Sequence, residues 1–339
     1  MTATKSCGRV SALVGSLVGS LAGLLACMLA GEACATATET SGVFALTPDS
    51  NIADQLQDVL VEAPEPKYVS PTIRDHIGRI WAPVMINGKG PFRMVLDTGA
   101  SHSAVTAMVA LSLGLPMDQS ATVMLKGVTG QATVQTIRVD TLSVGELDMV
   151  GTVLPIVPDA LGGAEGILGY EGLSNKRIFI DFRRDRIVIT YSRDERAADG
   201  YIRVPFKSMR GQLITVDTMI GGIRTKAIID TGGQTTIANL ALRDALARRT
   251  GVFSGKPDTI IGATKAVQSG EIIPMPPIKF GSIQIADSGV TFADMYIFKE
   301  WKLTADPAIM IGMDALGLFD AIVIDYRRHE LQIRTRGSG

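Results

Sequence analysis

The sequence predicts a mostly-β chain made of two tandem, related halves. Three observations carry that expectation. Short segments of alternating apolar and polar residues, broken by Gly, run from about residue 73 to the end. Blocks of the first half recur in the second in the same order: MVLDTGAS (94–101) with AIIDTGGQ (227–234), GILGYEGL (166–173) with IMIGMDAL (309–316), and IDFRRDRIVI (180–189) with IDYRRHELQI (324–333). Finally, 339 residues with 46% hydrophobic and 20% charged residues can bury a sizeable core, which excludes a disordered chain.

Taken in order, residues 10–31 carry no charge and follow Lys5 and Arg9, the pattern of a secretory signal peptide with small-residue cleavage sites around Ala33–Ala37. An uncleaved anchor and a loose lipoprotein site at Leu24–Cys27 remain open. Each reading places the rest of the chain across a membrane, periplasmic or secreted, or anchored and facing the non-cytoplasmic side. Residues 1–35 are therefore expected to be the leader. Residues 36–72 are expected to be a linker with a short amphipathic helix over 52–61, where Ile52, Leu56, Val59 and Leu60 have helical spacing, followed by the Pro-rich stretch 63–71.

The repeats divide the remainder into lobes 73–195 and 196–339, with polar SRDERAADG (192–200) at the boundary. In the first lobe RIWAPVMI (79–86), Asn87-Gly88-Lys89-Gly90 and PFRMVLD (91–97) read as a hairpin ending at Asp97. In the second, LITVDTMIGG (213–222) precedes the strand ending at Asp230. A helix-like stretch follows each, AMVALSLGL (107–115) and NLALRDALARR (239–249).

Composition removes several function classes. Lys plus Arg is 33 against 34 for Asp plus Glu, so no excess of positive charge is available for nucleic acid. The three His (His76, His102, His329) lie far apart, and the three Cys (Cys7, Cys27, Cys34) all fall in the leader, so neither a metal site nor a thiol nucleophile is expected. No cofactor is implied. The adjacent Ser101-His102 is not read as a nucleophile pair, because neighbours on an extended chain point to opposite faces and no G-x-S-x-G is present.

The chemistry lies in the two D-T-G blocks. Each Asp ends an apolar run, Met94–Leu96 or Ile228–Ile229, and is delivered from a buried strand. A Gly two residues later permits a tight turn that offers backbone N–H groups to the carboxylate. If the halves form a pseudo-dimer, Asp97 and Asp230 meet on its axis, where two touching carboxylates share one proton. The ionised one then takes a proton from water while the neutral one polarises a carbonyl.

These blocks resemble the retropepsin-like branch of the aspartic proteases, in two tandem copies over roughly residues 79–335 and of a bacterial exported type. The resemblance implies a two-lobed acid-protease fold of two retropepsin-like β-barrel repeats with short helices. It implies catalytic Asp97 and Asp230, supported by Thr98, Gly99, Thr231 and Gly232, with Ile167-Leu168-Gly169 and Met310-Ile311-Gly312 under the catalytic loops. It further implies a flap hairpin in each half. LKGVTGQ (125–131) and IIGATKAVQSG (260–270) are the candidates, with Gly127, Thr129, Gly130 and Gly262 as substrate-binding positions. The activity implied is that of an aspartic endopeptidase on extended polypeptides, in a monomer whose halves form the pseudo-dimer, with no nucleic-acid partner and membrane contact only through an uncleaved leader.

Departures from the family pattern give the other readings. Ala100 and Gly233 stand where pepsin-like enzymes carry Ser or Thr, neither flap has the Tyr of their first flap, and Gln234 replaces the counterpart of Ser101. A second half of reduced competence, and a non-catalytic peptide-binding or assembly module, therefore remain alternatives. Without the Ser or Thr donor, the pair is expected to keep its shared proton to higher pH.

Overall fold

A computed structural model describes residues 59–62 and 81–336, apart from positions 117, 145, 146, 160, 174, 211, 252, 253 and 287. The leader, the rest of the linker and His76 lie outside the described residues. Among the described residues, no helix is long and apolar enough to cross a membrane. The chain is mostly β, and among the described residues the strands form three sheets.

The first sheet comes wholly from the first half. Its strands lie in the order Trp81–Ile86, Lys89–Leu96, Gly166–Leu168, Ala104–Thr106, Leu147–Val157, Gln131–Val144 and Asp118–Lys126. The second comes wholly from the second half and repeats the central motif. Ala308–Ile311 runs parallel to Ile223–Ile229 and antiparallel to Ile237–Ala238, as Gly166–Leu168 does to Lys89–Leu96 and Ala104–Thr106. The hairpins leading to the two aspartates turn at Asn87-Gly88 and Gly221-Gly222, all four with positive φ. Asn and Gly tolerate that conformation, and it matches the twist of the strands they join. The expected helices form at Ala107–Leu113 and Leu240–Thr250; the second is capped by Asn239, whose side chain accepts the Leu242 N–H.

The third sheet joins the halves, in the order Val59–Glu62, Arg186–Tyr191, Lys176–Asp181, Ala321–Asp325, Glu330–Arg334 and Ile202–Pro205. Its middle is two equivalent hairpins side by side, the repeated I-D-F/Y blocks, with Ile180 opposite Ile322 and Ile178 opposite Ile324. Two rows of buried side chains cross this seam: Ile187, Ile180, Ile322, Ile333 and Ile189, Ile178, Ile324, Leu331. Burial of each contributes about 1.5–3 kcal/mol, so the seam is a hydrophobic core shared by both halves. Asp181 and Asp325 end these strands as turn residues, accepting the N–H groups of Arg183 and Arg184, and of Arg328, respectively. The Arg pairs themselves are tied down at the turns, Arg183 to Asp320 at 2.9 Å and Arg328 to Asp194 at 3.0 Å.

One expectation is corrected here. The helix read over 52–61 does not extend to its end: Val59–Glu62 is a strand, antiparallel to Arg186–Tyr191. The exposed edge of that strand offers unpaired N–H and C=O groups, and a V-L-V run with β propensity satisfies them, which overrides helical spacing. Residues 52–58 lie outside the described residues.

Candidate active site

Both aspartates leave their strands in the same way. The Asp97 N–H donates to Leu168 O and the Asp230 N–H to Ile311 O, each at 3.0 Å. The chain then turns back on the carboxylate. Asp97 Oδ1 accepts the N–H groups of Gly99 (2.8 Å) and Ala100 (3.0 Å); Asp230 Oδ1 accepts those of Gly232 (3.0 Å) and Gly233 (3.1 Å). The second loop is therefore formed like the first. Gln234 enters that frame through its backbone carbonyl, which accepts the Asp314 N–H.

The two loops are locked together by the threonines between Asp and Gly. The Thr98 hydroxyl donates to Ile229 O (2.8 Å) and accepts the Thr231 N–H (3.1 Å). Reciprocally, the Thr231 hydroxyl donates to Leu96 O (2.7 Å) and accepts the Thr98 N–H (3.1 Å). Both threonines are buried, so losing either hydroxyl strands buried groups at a cost of about 1–3 kcal/mol apiece. This interlock brings the Asp97 and Asp230 carboxyl groups together, each with an oxygen within 3.2 Å of the Cβ position of Gly99, close enough for each to act on the other.

The apolar-apolar-Gly segments explain themselves in the same geometry. A Cβ on Gly169 would meet the backbone of His102 at 2.5 Å, and one on Gly312 the backbone of Thr235 at 2.8 Å. The strand beneath each D-T-G loop crosses the following chain at backbone contact, which only Gly allows. A carboxylate two residues on secures each crossing. Glu171 accepts the Ser103 N–H, and Asp314 accepts both the N–H and the hydroxyl of Thr236. Ser103 and Thr236 in turn accept the Gly169 and Gly312 N–H groups. Sequence reasoning passed over these acids, although Gly-x-Glu and Gly-x-Asp stand at matched places in the repeats.

Electrostatically the aspartates are unequal. Asp230 is buried, whereas Asp97 is half-buried. Burial first, then the charge of Asp97, raises the Asp230 carboxyl from 3.8 to about 8, against the opposing pull of the Gly233 and Gly232 N–H groups. The pair therefore keeps a shared proton to higher pH than a lone carboxyl would. The sign for stability follows: between those values the folded chain holds a proton that the unfolded chain has released. That contribution is fully present below about pH 4 and is lost as pH rises through about 8. The free energy of unfolding should accordingly decline from pH 4 to pH 8 more steeply in the wild type than in Asp230→Asn, with a difference in slope of at most about 1.4 kcal/mol per pH unit. Parallel profiles would show that Asp230 does not carry the proton.

Both candidate flaps are hairpins. The first pairs Asp118–Lys126 with Gln131–Val144 and turns through 127–130; the second pairs Lys256–Ile261 with Val267–Pro274 and turns through 262–266. The structure brings their tips together. A Cβ on Gly130 would lie 3.2 Å from that of Ala266, one on Gly127 would lie 3.3 Å from Thr264 Cγ2, and one on Gly262 would overlap the Thr129 hydroxyl. Each tip also packs against an apolar cluster beside the aspartate loops, Val128 and Ile260 on the cluster of Ile228, Ile237 and Met310, and Leu125 and Ala263 on that of Val95, Leu161 and Ile167, where Ala100 also sits.

Ser101 and His102 do not point apart as expected. Their Oγ and Nδ1 atoms lie 2.9 Å from each other, because the chain bends here instead of running extended; the imidazole is exposed. Among the described residues no cluster of His, Cys, Asp and Glu is placed to hold a metal ion.

Comparison with protein families matches residues 82–171 to the family described as aspartyl protease. The matched segment holds Asp97–Ala100, the first flap and Ile167–Gly169; the second D-T-G lies beyond it. No curated protein matches the chain. The family match supports a peptidase-type hydrolase at that coarse level.

Proposed function

We propose that the chain is an aspartic endopeptidase in which Asp97 and Asp230 together activate one water for attack on a peptide bond of an extended polypeptide. The observation that carries this reading is the reciprocal Thr98–Thr231 interlock, which holds two equally formed carboxylate loops in contact. A peptide-binding module has no need of two carboxyl groups forced to share a proton.

The inequality of the pair supports a division of roles. Half-buried Asp97, ionised, accepts a proton from the water as its oxygen bonds to the scissile carbonyl carbon. Asp230 gives its proton to the carbonyl oxygen, so a neutral gem-diol forms without a metal or a covalent enzyme adduct. Collapse reverses the flow. The C–N bond breaks, Asp97 hands its proton to the departing nitrogen, and a diol hydroxyl returns one to Asp230. The substrate lies extended beneath the two flaps, paired through its backbone to strand edges. The test is hydrolysis of an unfolded casein-like polypeptide by the purified protein, wild type against Asp97→Asn. Failure of the wild type on a broad peptide library would favour the binding module.

The position after each D-T-G bears on the pH window. Ala100 and Gly233 bring only backbone N–H groups to the carboxylates. A hydroxyl donor would favour the charged form and lower the apparent pKa values of the pair. Ala100→Ser should therefore move the kcat/KM profile toward acid relative to the wild type, and an unchanged or alkaline-shifted profile would place this side chain away from the carboxylates. Gly233 is a poor site for the same change, since a Cβ there would come within 2.9 Å of Asp230 Oδ2.

A further inference from the structure

The two flaps are attached to the molecule in different ways. The first is fastened to the short helix Tyr296–Glu300 of the second half. The Ile297 N–H donates to Val128 O (3.1 Å), the Tyr296 hydroxyl donates to Gln131 Oε1 (2.7 Å), and Lys126 Nζ pairs with Glu300 Oε1 (2.6 Å). The Val128 side chain packs into the apolar cluster that contains Met295, Ile297 and Phe298. The ion pair is exposed and contributes little by itself, but it closes a ring of contacts around a backbone hydrogen bond and an apolar plug.

The second flap is fastened less. Among the described residues, it reaches the first half through Ala263 on the Leu161 cluster and through the tip contacts of Gly262, Thr264 and Ala266. Its ribbon pairs with Gly289–Phe292 from Glu271 to Pro274 and is tied to it again by the Thr291 hydroxyl, which donates to Asp258 Oδ2 at 2.6 Å. Nearer the tip it is two-stranded, as the first flap is over Thr122–Lys126 and Gln131–Gln135, but among the described residues no counterpart of the Tyr296–Glu300 anchor holds it. A two-stranded ribbon is marginally stable by itself.

The joint between the tips has a defect. Thr129 is 7% exposed and its hydroxyl, like that of Thr264, is buried without a hydrogen-bond partner. Each hydroxyl sits against the turn of the opposite flap, Thr129 on Gly262 and Thr264 on Gly127. A buried hydroxyl left unpaired costs about 1–3 kcal/mol, so the closed joint is penalised until something supplies partners. A polypeptide backbone, with a donor and an acceptor at every residue, is suited to that.

Resting on the protease reading, we propose that the roof over the aspartates opens on one side: the first flap is a fixed half, the second is the gate, and the Thr129 and Thr264 hydroxyls receive the substrate backbone. Hydrogen exchange on the full protein tests the asymmetry without any need for turnover. Amides of 256–270 should exchange at least about tenfold faster than those of 126–131 and of Ile297, and Glu300→Gln should accelerate the latter group. Equal protection, or a faster first flap, overturns the proposal. Thr264→Val removes one unpaired hydroxyl at almost constant shape. It should slow exchange of the second flap about tenfold and raise KM for a polypeptide by a similar factor, with kcat kept within about twofold. A merely structural threonine would leave KM alone, and unchanged exchange in Thr264→Val overturns the role of the hydroxyl. A protein that hydrolyses nothing would sink the protease reading while the exchange measurements still decide the gate.

Discussion

Replacing either Asp97 or Asp230 by Asn should reduce hydrolysis by about 10²–10⁴-fold, and replacing both should be scarcely worse than replacing one. On the proposed reading, the working species is one proton shared by two oxygen acids in contact. Asn at 97 would then remove the base that takes the water proton, and Asn at 230 the acid that protonates the carbonyl oxygen. Either loss stops the same step, so the second has little left to remove. The folded state should survive in each case, because the Thr98–Thr231 interlock uses the threonine hydroxyls and backbone and neither carboxylate. Near-normal turnover in Asp230→Asn would make the second D-T-G structural and end the pseudo-dimer account. Additive losses would show that the two groups act at separate steps.

What the sequence made legible was what chemistry and backbone geometry restrict to a few residue types. The D-T-G loops require a carboxylate, a hydroxyl that reaches across, and a small residue against the partner loop. The crossing strands require Gly169 and Gly312. The seam requires alternating apolar residues in both I-D-F/Y hairpins. Each appears twice, so repetition exposes it. Features created by tertiary contact were not legible. Helix Tyr296–Glu300 spans five residues, too few for a helical period to show, and its importance lies in what docks on it. The strand Val59–Glu62 has helical spacing but forms on a sheet edge contributed by residues more than a hundred positions away. Ser101 and His102 meet because of a bend that neighbouring residues do not announce. The inequality of the halves was visible only in part: Gln234 drew attention, whereas the asymmetry resides in the burial of Asp230 and the anchoring of the first flap.

Gly232→Ala should disable the enzyme about as deeply as Asp97→Asn, whereas Gly99→Ala should cost about tenfold, although the two glycines occupy equivalent places in the repeat. Their surroundings are not equivalent. A Cβ on Gly232 would overlap the carboxylate of Asp97 itself, while one on Gly99 would stand 3.1 Å from Asp230 Oδ1 and 3.2 Å from Asp97 Oδ1. The first contact has to be relieved by moving Asp97, and two backbone N–H groups hold that carboxylate in place. Relief therefore breaks the loop hydrogen bonds or the contact between the acids. The second contact requires only a few tenths of an ångström from Asp230 Oδ1 and Asp97 Oδ1, which can give that much within their loop hydrogen bonds. Because neither glycine takes part in the seam between the halves, unfolding midpoints should move less than activity does. An accompanying sign is available: driving Asp97 away removes its charge from Asp230, so the decline of stability between pH 4 and pH 8 should become shallower in Gly232→Ala and stay close to wild type in Gly99→Ala. Equal losses in the two variants would argue that the site is symmetric. Full activity in Gly232→Ala would place the Asp97 carboxylate somewhere other than over the second loop.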